Sequence, residues 1–228
     1  MRSTENAAKR AAMYRYPRKL AVWIIGFTPG NWLRVSLYKI FCGYRIAHGA
    51  RIGFGTLIAI DAAEIDVVRI GRFNRFQGPY VLRIKEGSSI GDRNAFDCGE
   101  WSISQSAKPS AYCDIGANTL ITGNHYVDVT QGFSLGDRSW LAGRDTQVWT
   151  HGAGAAGGAV HIGKDCYIGS AARLAPGSGV GDGCVVGMGA VLTHYIEGSS
   201  LLVGGVPARV IRERVQAADS VPTGSDSQ

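Results

Sequence analysis

A chain of 228 residues with 45% hydrophobic residues can bury a sizeable core, and its 32 glycines, about twice ordinary usage, stand in no G-X-Y period, which excludes a collagen-like repeat and asks instead for recurring tight corners. The formal charge of +6 is uneven: residues 1–51 hold ten Lys/Arg against one acid, Glu5, while residues 52–228 hold fourteen against seventeen. Five cysteines, at 42, 98, 113, 166 and 184, form no C-x-x-C pair and are odd in number, which argues against a zinc site or a secreted disulfide framework and for reduced thiols in a cytosolic protein.

Residues 1–17 are polar and basic and read as a loose arm, either simply solvated or able to meet a phosphate-bearing partner or an anionic membrane surface. The apolar run LAVWIIGF, 20–27, is too short to span a bilayer, and no small-residue cleavage site follows it. Arg18–Phe27 reads as a short helix ended by Pro29 and Gly30, with Asn31 as the cap of the next. In that second helix Leu33, Leu37, Ile40 and Phe41 share a face, while Arg34, Tyr38 and Lys39 point elsewhere. The apolar face is expected to pack over the end of the main domain; the alternative is a helix lying on a membrane surface.

From Ile46 an aliphatic residue returns every six positions, followed by Gly or Ala and, four positions on, by a small residue: Ile52-Gly53 with Thr56, Ile115-Gly116 with Thr119, Leu135-Gly136 with Ser139, Ile162-Gly163 with Cys166, Val180-Gly181 with Cys184. Over 162–197 the hexads run without interruption, a period that neither an amphipathic helix nor an alternating strand produces. Starts at 52, 70, 90, 115, 135, 162 and 180 give a base period of eighteen, with extras of 2, 7, 2 and 9 residues. Three short flat strands and three corners make one triangular coil; aliphatics eighteen apart then stack as inward ladders, with glycine easing each corner through φ > 0. Cys166 and Cys184 fall into place as stacked small interior residues.

The extras are loops thrown out from corners, one within 96–114 and one at 152–159. The sequence thus divides into a basic arm with short amphipathic helices (1–45), a repeat domain (46–205), a C-terminal helix closing the last coil (206–216) and a disordered tail (217–228). The match of Gly152–Gly157 to G-x-G-x-x-G is a coincidence of composition, because the loop runs straight into hexads with no helix behind it.

The stretches I162-G-K-D-C-Y-I-G-S, L174-A-P-G, V180-G-D-G, V186-G-M-G-A and V203-G-G-V-P-A-R-V-I-R closely resemble the end of hexapeptide-repeat acyltransferases, above all the sugar and polysaccharide O-acetyltransferases. The repeat covers roughly seven tenths of the chain. The resemblance implies an all-β fold, a left-handed parallel β-helix with short N-terminal helices and a C-terminal helix. It also implies a homotrimer with active sites between neighbouring β-helices, acetyl-CoA as donor, and no required metal.

Such a transfer needs a base for the acceptor hydroxyl, a donor to the tetrahedral intermediate and a seat for CoA. His151 ends Q147-V-W-T-H where the nine extra residues leave, and the resemblance marks that position as the catalytic histidine. A structural histidine filling a corner is the alternative. His125, in T122-G-N-H-Y-V-D, is the second candidate; it stands in a small-residue position, with Asp145 in the equivalent place one coil later. The resemblance further assigns acceptor contacts to Asn124 and Asp128, and CoA contacts to Ser170, Thr193, Arg209 and Arg212, the arginines suiting phosphate oxygens. Met188 stands where a smaller residue is common, and His194 could face CoA, whereas His48 and His161 read as surface or packing residues.

The expected function is an acetyl-CoA-dependent O-acetyltransferase acting on a hydroxyl of a sugar, saccharide or glycolipid, with histidine as general base and direct attack on the thioester. The expected location is cytoplasmic, or peripheral at the inner membrane face, with no nucleic-acid partner. The alternatives are an N-acetyltransferase for a nucleotide-linked amino sugar, a γ-type carbonic anhydrase, for which the paired histidines are missing, and a non-catalytic β-helix trimer.

Overall fold

The computed structural model describes residues 20–99, 111–152 and 157–213. Within them the chain winds as a left-handed parallel β-helix whose coils pair strand to strand along three faces. On the first face Ile46, Ile65, Ile84, Ile115, Leu135, Ile162, Val180 and Ile196 stack in register. On the second the ladder is Ile52, Ile70, Ile90, Ile121, Leu141, Ile168, Val186 and Val203. On the third it is Ile58, Phe76, Phe96, Val127, Val148, Leu174 and Leu192, where Phe76 and Phe96 stack face to face with ring centres 4.8 Å apart. All these side chains are buried, each contributing about 1.5–3 kcal/mol relative to exposure.

The ladders correct the coil lengths read from spacing. Ile52, Ile70 and Ile90 lie on the second face, but Ile115, Leu135, Ile162 and Val180 lie on the first, so the interval from 90 to 115 crosses between faces. The coil that leaves Ile90 returns at Ile121, 31 residues on, so its loop adds thirteen residues to the basic eighteen rather than seven. Residues 100–110 of that loop, 153–156 of the second loop, the arm at 1–17 and the tail at 217–228 lie outside the described residues.

The glycine after each aliphatic also has a different cause from the one expected. A Cβ on Gly53 would lie 2.2 Å from the carbonyl oxygen of Gly71, so this glycine is demanded by the close approach of the next coil. The positive φ falls two residues later, where Gly55, Gly183 and Gly189 ease the corner as expected, while Phe73, Arg93, Asn118, Arg138 and Asp165 hold the same position at 55–60°.

A second kind of ladder fills a corner. The N–H of Asn74 donates to Thr56 Oγ1, that of Asn94 to Asn74 Oδ1, that of His125 to Asn94 Oδ1, and that of Thr146 to His125 Nδ1. Each of these buried side chains supplies the acceptor that a corner amide of the following coil needs. At another corner Ser88 and Ser139 serve Thr119 and Cys166 in the same way, and Cys166 and Cys184 lie buried in adjacent coils as expected.

The open N-terminal end is covered by helix α1, described over 20–26, and helix α2, Asn31–Cys42. Gly30 takes the cap position, and Asn31 instead reaches sideways, accepting from Ile52 N–H and donating to Ala50 O. The orientation of α2 departs in part from the one expected: Leu37 packs half-buried against the core, but the rest of the expected apolar face does not lead the packing. Arg34 and Tyr38 are its buried residues, while Ile40 and Phe41 are 74% and 67% exposed and Trp32 is 73% exposed. Among the described residues the first coil has no strand before it, so its edge carbonyls and amides need polar partners that an apolar face does not offer. Arg34 donates through Nε and Nη2 to Ile52 O, and the Tyr38 hydroxyl donates to Thr56 O and accepts from Ile58 N–H.

At the other end the expected C-terminal helix is a strand, Ala208–Glu213, antiparallel to Leu201–Gly205. The physical reason is the same: the last coil presents an unpaired edge, and a hairpin rich in β-branched residues pairs it where a helix would not. A bulge aligns Arg209 opposite Gly204 and Arg212 opposite Leu202, two positions apart on one strand, so both arginines share a face.

Candidate active site

The corner that leads from the third face to the first carries the main concentration of chemistry. Strand Tyr126–Asp128 places Val127 inward, and the chain turns at Asp128, whose side chain is only 1% exposed. Its Oδ1 accepts from the amide and hydroxyl of Thr130 at 3.1 and 2.6 Å; its Oδ2 accepts from the amide and hydroxyl of Thr150 at 2.8 and 2.7 Å. Burial by itself would raise this carboxyl, but the four donors outweigh it and hold it below the ordinary carboxylate range. Asp128 is therefore a fixed anion at neutral pH.

One coil later, strand Gln147–Val148 continues through Trp149 and Thr150 to His151. Nδ1 of His151 lies 2.6 Å from Asp128 Oδ2. A carboxylate at that distance accepts the Nδ1 proton, so Nε2 becomes the basic nitrogen of the ring. The His151 side chain is 31% exposed and opens on a cleft of about 450 Å³ that is also lined by Arg75, Gln77, Asp97, Tyr126 and Trp149. Tyr126 and Trp149 form an aromatic wall with ring centres 4.8 Å apart. Arg75 is held by Asp97 through two bonds, Nε to Oδ1 at 3.0 Å and Nη2 to Oδ2 at 2.5 Å, and that pairing raises the guanidinium further. The arrangement can remove a proton from a hydroxyl presented at the cleft, with a buried anion to stabilise the imidazolium that forms.

A larger recess, of about 730 Å³, lies over the start of the first face among Lys39, Arg45, Glu64 and Arg83. Two of those cations are already engaged, Arg45 by Glu64 and Arg83 by Asp114, and it contains no base–carboxylate arrangement.

His125 does not join the cleft. It is buried in the corner ladder, where Nδ1 accepts from Thr146 N–H and Nε2 lies 3.0 Å from Thr122 Oγ1. Burial lowers its pKa to about 4, so the ring is neutral. The residue stacked on it is Thr146 rather than Asp145, because a bulge between Leu141 and Arg144 adds one residue to that coil. Asn124 occupies the left-handed position of the same corner, φ 60°, and is likewise not part of the cleft. Asp128, expected to touch the acceptor, lines the cleft, but it is almost fully buried and its Oδ2 is bonded to His151.

Of the CoA candidates, Thr193 sits at the His151 corner two coils on, its hydroxyl 3.2 Å from His194 Nδ1. Ser170 lies at a different corner, between the second and third faces, close against Gly143, with Met188 exposed there one coil later. Arg209 and Arg212 are exposed on the terminal hairpin of the second face. His161 points out from the first face beside Ser134, and His48 is exposed.

Tyr126, Trp149, Arg75 and Asp97 were not singled out in the sequence. Trp149 stood in the same short stretch as His151, but only the registers of four consecutive coils bring Arg75, Asp97, Tyr126 and Trp149 together.

Residues 159–194 match the family model described as the hexapeptide repeat of succinyl-transferase. A chloramphenicol acetyltransferase of Agrobacterium fabrum is 49% identical over 53 residues, 23% of this chain and 25% of that protein, so the chain spans about a quarter of the length of this curated relative. Among solved structures, the polySia specific acetyltransferase NeuO superposes with a TM-score of 0.55 at 19% identity over 80% of this chain and 85% of that one. A hexapeptide-repeat containing acetyltransferase from Vibrio cholerae, complexed with acetyl coenzyme A, matches with a TM-score of 0.46 at 19% identity over 87% and 84%. The NeuO superposition and the repeat together show the hexapeptide-repeat β-helix fold.

Proposed function

We propose that this hexapeptide-repeat β-helix is an acetyl-CoA-dependent O-acetyltransferase whose acceptor is a hydroxyl of a sugar or saccharide. The observation that carries the reading is the His151–Asp128 pair opening on the cleft. Nε2 of His151 takes the acceptor proton as the hydroxyl oxygen forms a bond to the thioester carbonyl carbon. Collapse of the tetrahedral intermediate breaks the carbon–sulfur bond, and the imidazolium returns the proton to the departing thiolate. Asp128 stays ionised throughout and holds the ring in the Nδ1–H tautomer.

The cleft suits a polyhydroxyl ring. The Tyr126–Trp149 wall offers an apolar surface for the C–H face of a pyranose, while Gln77, Asp97 and Arg75 offer donors and acceptors for its hydroxyls. The named acetyltransferase relatives support acyl transfer, and one of them is polysialic-acid specific. The three corners of one coil point three ways, so His151 and Ser170 can serve one CoA only where two copies meet; this favours the homotrimer, with Ser170, Thr193, Arg209 and Arg212 as the CoA contacts. A coenzyme A thioester as donor favours a cytoplasmic reaction.

The test is incubation with acetyl-CoA and a saccharide panel, following thiol release and product mass. Ester products formed by the parent and not by His151→Ala support the reading. Amide products turn it to an N-acetyltransferase, and turnover by His151→Ala at the parental rate removes His151 from the role.

A further inference from the structure

The N-terminal end of the β-helix presents a surface that the proposed chemistry does not use. Helix α1 turns Val22 and Ile25 inward and Leu20, Trp23 and Ile24 outward; α2 turns Arg34 and Tyr38 inward and Trp32, Ile40 and Phe41 outward. Both helices cover the first coil, α1 through Gly26 against Thr56 and Leu57, α2 through its bonds to Ile52 and Thr56. Their outward faces therefore belong to one end of the molecule. From Trp23 the aromatic surface continues through Phe27 and Phe54 to Phe73, with ring centres 4.8, 5.3 and 6.1 Å apart.

The capping helices and the strands just after them are cationic, with acids beginning only at Asp61, Glu64 and Asp66. Residues 6–60 contain nine Lys/Arg and no Asp or Glu. Of those described, Arg34 faces inward and Arg45 is bound to Glu64, leaving Lys39 and Arg51 as exposed cations beside the apolar residues. Five more cations lie in the sequence immediately ahead of α1, at Lys9, Arg10, Arg15, Arg18 and Lys19.

We propose that this end docks on an anionic lipid bilayer, with Trp23, Ile24, Trp32 and Ile40 entering the headgroup region and Lys39 and Arg51 meeting lipid phosphates. Tryptophan and branched aliphatics on a short helix flanked by cations have the composition of an interfacial helix. A second copy is the poorer fit, because an isologous contact through the helices would bring the exposed cations Lys39 and Arg51 of both copies to one face, while Glu64, an acid beside Lys39 in the recess, is already bound to Arg45. The surface lies outside the His151 cleft, so the proposal stands or falls independently of the acyl-transfer reading.

Flotation of the full chain with vesicles of phosphatidylcholine, with and without phosphatidylglycerol, tests it. Co-flotation with the anionic vesicles only, weakened by salt, is expected. Lys39→Gln and Arg51→Gln should each lower partition about fivefold. Trp23→Ser with Ile24→Ser, or Trp32→Ser with Ile40→Ser, should abolish it at unchanged melting temperature and unchanged subunit number. Either serine pair floating as well as the parent, no flotation with either vesicle, equal flotation with neutral vesicles, or a fall in subunit number by light scattering in the serine variants would overturn it; the last would assign the face to contact between copies.

Discussion

Thr150 and His151 are neighbours in sequence and both bond the same oxygen of Asp128, Thr150 through its amide and hydroxyl and His151 through Nδ1. The carboxylate belongs to the preceding coil, so the imidazole is oriented by the stacking of the β-helix rather than by its own loop.

That relationship predicts unequal losses. His151→Ala should lower kcat by about 10²–10⁴ without unfolding the protein. Asp128→Asn should lower kcat roughly ten- to a thousandfold through loss of the charge that stabilises the imidazolium. Asp128→Ala should in addition destabilise by about 1–3 kcal/mol for each buried donor left unpaired at Thr130 and Thr150. Steady-state rates and thermal unfolding of the three variants separate these effects.

His125 should matter for stability and not for turnover. Folding keeps its ring neutral down to about pH 4, whereas an unfolded imidazole titrates near 6.5. The unfolded chain therefore binds the extra proton between those values. Its contribution is fully present above about pH 6.5 and is lost as pH falls toward 4, by roughly 3 kcal/mol. His125→Asn, which imitates Asn74 and Asn94 in the same ladder, should flatten that pH dependence and leave kcat within a few fold.

Tyr38→Phe should cost about 1–3 kcal/mol, because Thr56 O and Ile58 N–H lose a buried partner. Ile40→Ser, on the stripe that looks like the packing face, should cost almost nothing. Denaturant melts of the two variants read this directly.

The two kinds of corner residue should also part company. Gly53→Ala should destabilise by several kcal/mol because its Cβ would press on the backbone of the next coil. Arg93→Gly should be close to neutral, since relief of a left-handed non-glycine residue, about 1–2 kcal/mol, offsets the entropy that glycine adds.

Arg209→Ala with Arg212→Ala should raise KM for acetyl-CoA roughly ten- to a hundredfold with kcat little changed, as expected for lost charge-assisted bonds to phosphate. Because the bulge sets both arginines on one face, each single variant should show a smaller part of the same change.

The hexad period of the chain was enough to specify the β-helix, since an inward aliphatic every sixth residue leaves few other backbones on which those side chains can meet. The period also marked the corner where His151 stands, but it was the resemblance to sugar O-acetyltransferases that assigned this histidine its role. The ends were different. Arg34 and Tyr38 face inward, and Ala208–Glu213 is a strand, because the first and last coils leave unpaired backbone edges, and a hydrophobic pattern carries no record of where such edges fall. The partnership of His151 with Asp128, and the grouping of Arg75, Asp97, Tyr126 and Trp149, were decided only by coil-to-coil register. Loops of unequal length hide that register in the linear chain, and hydrogen bonding between coils restores it.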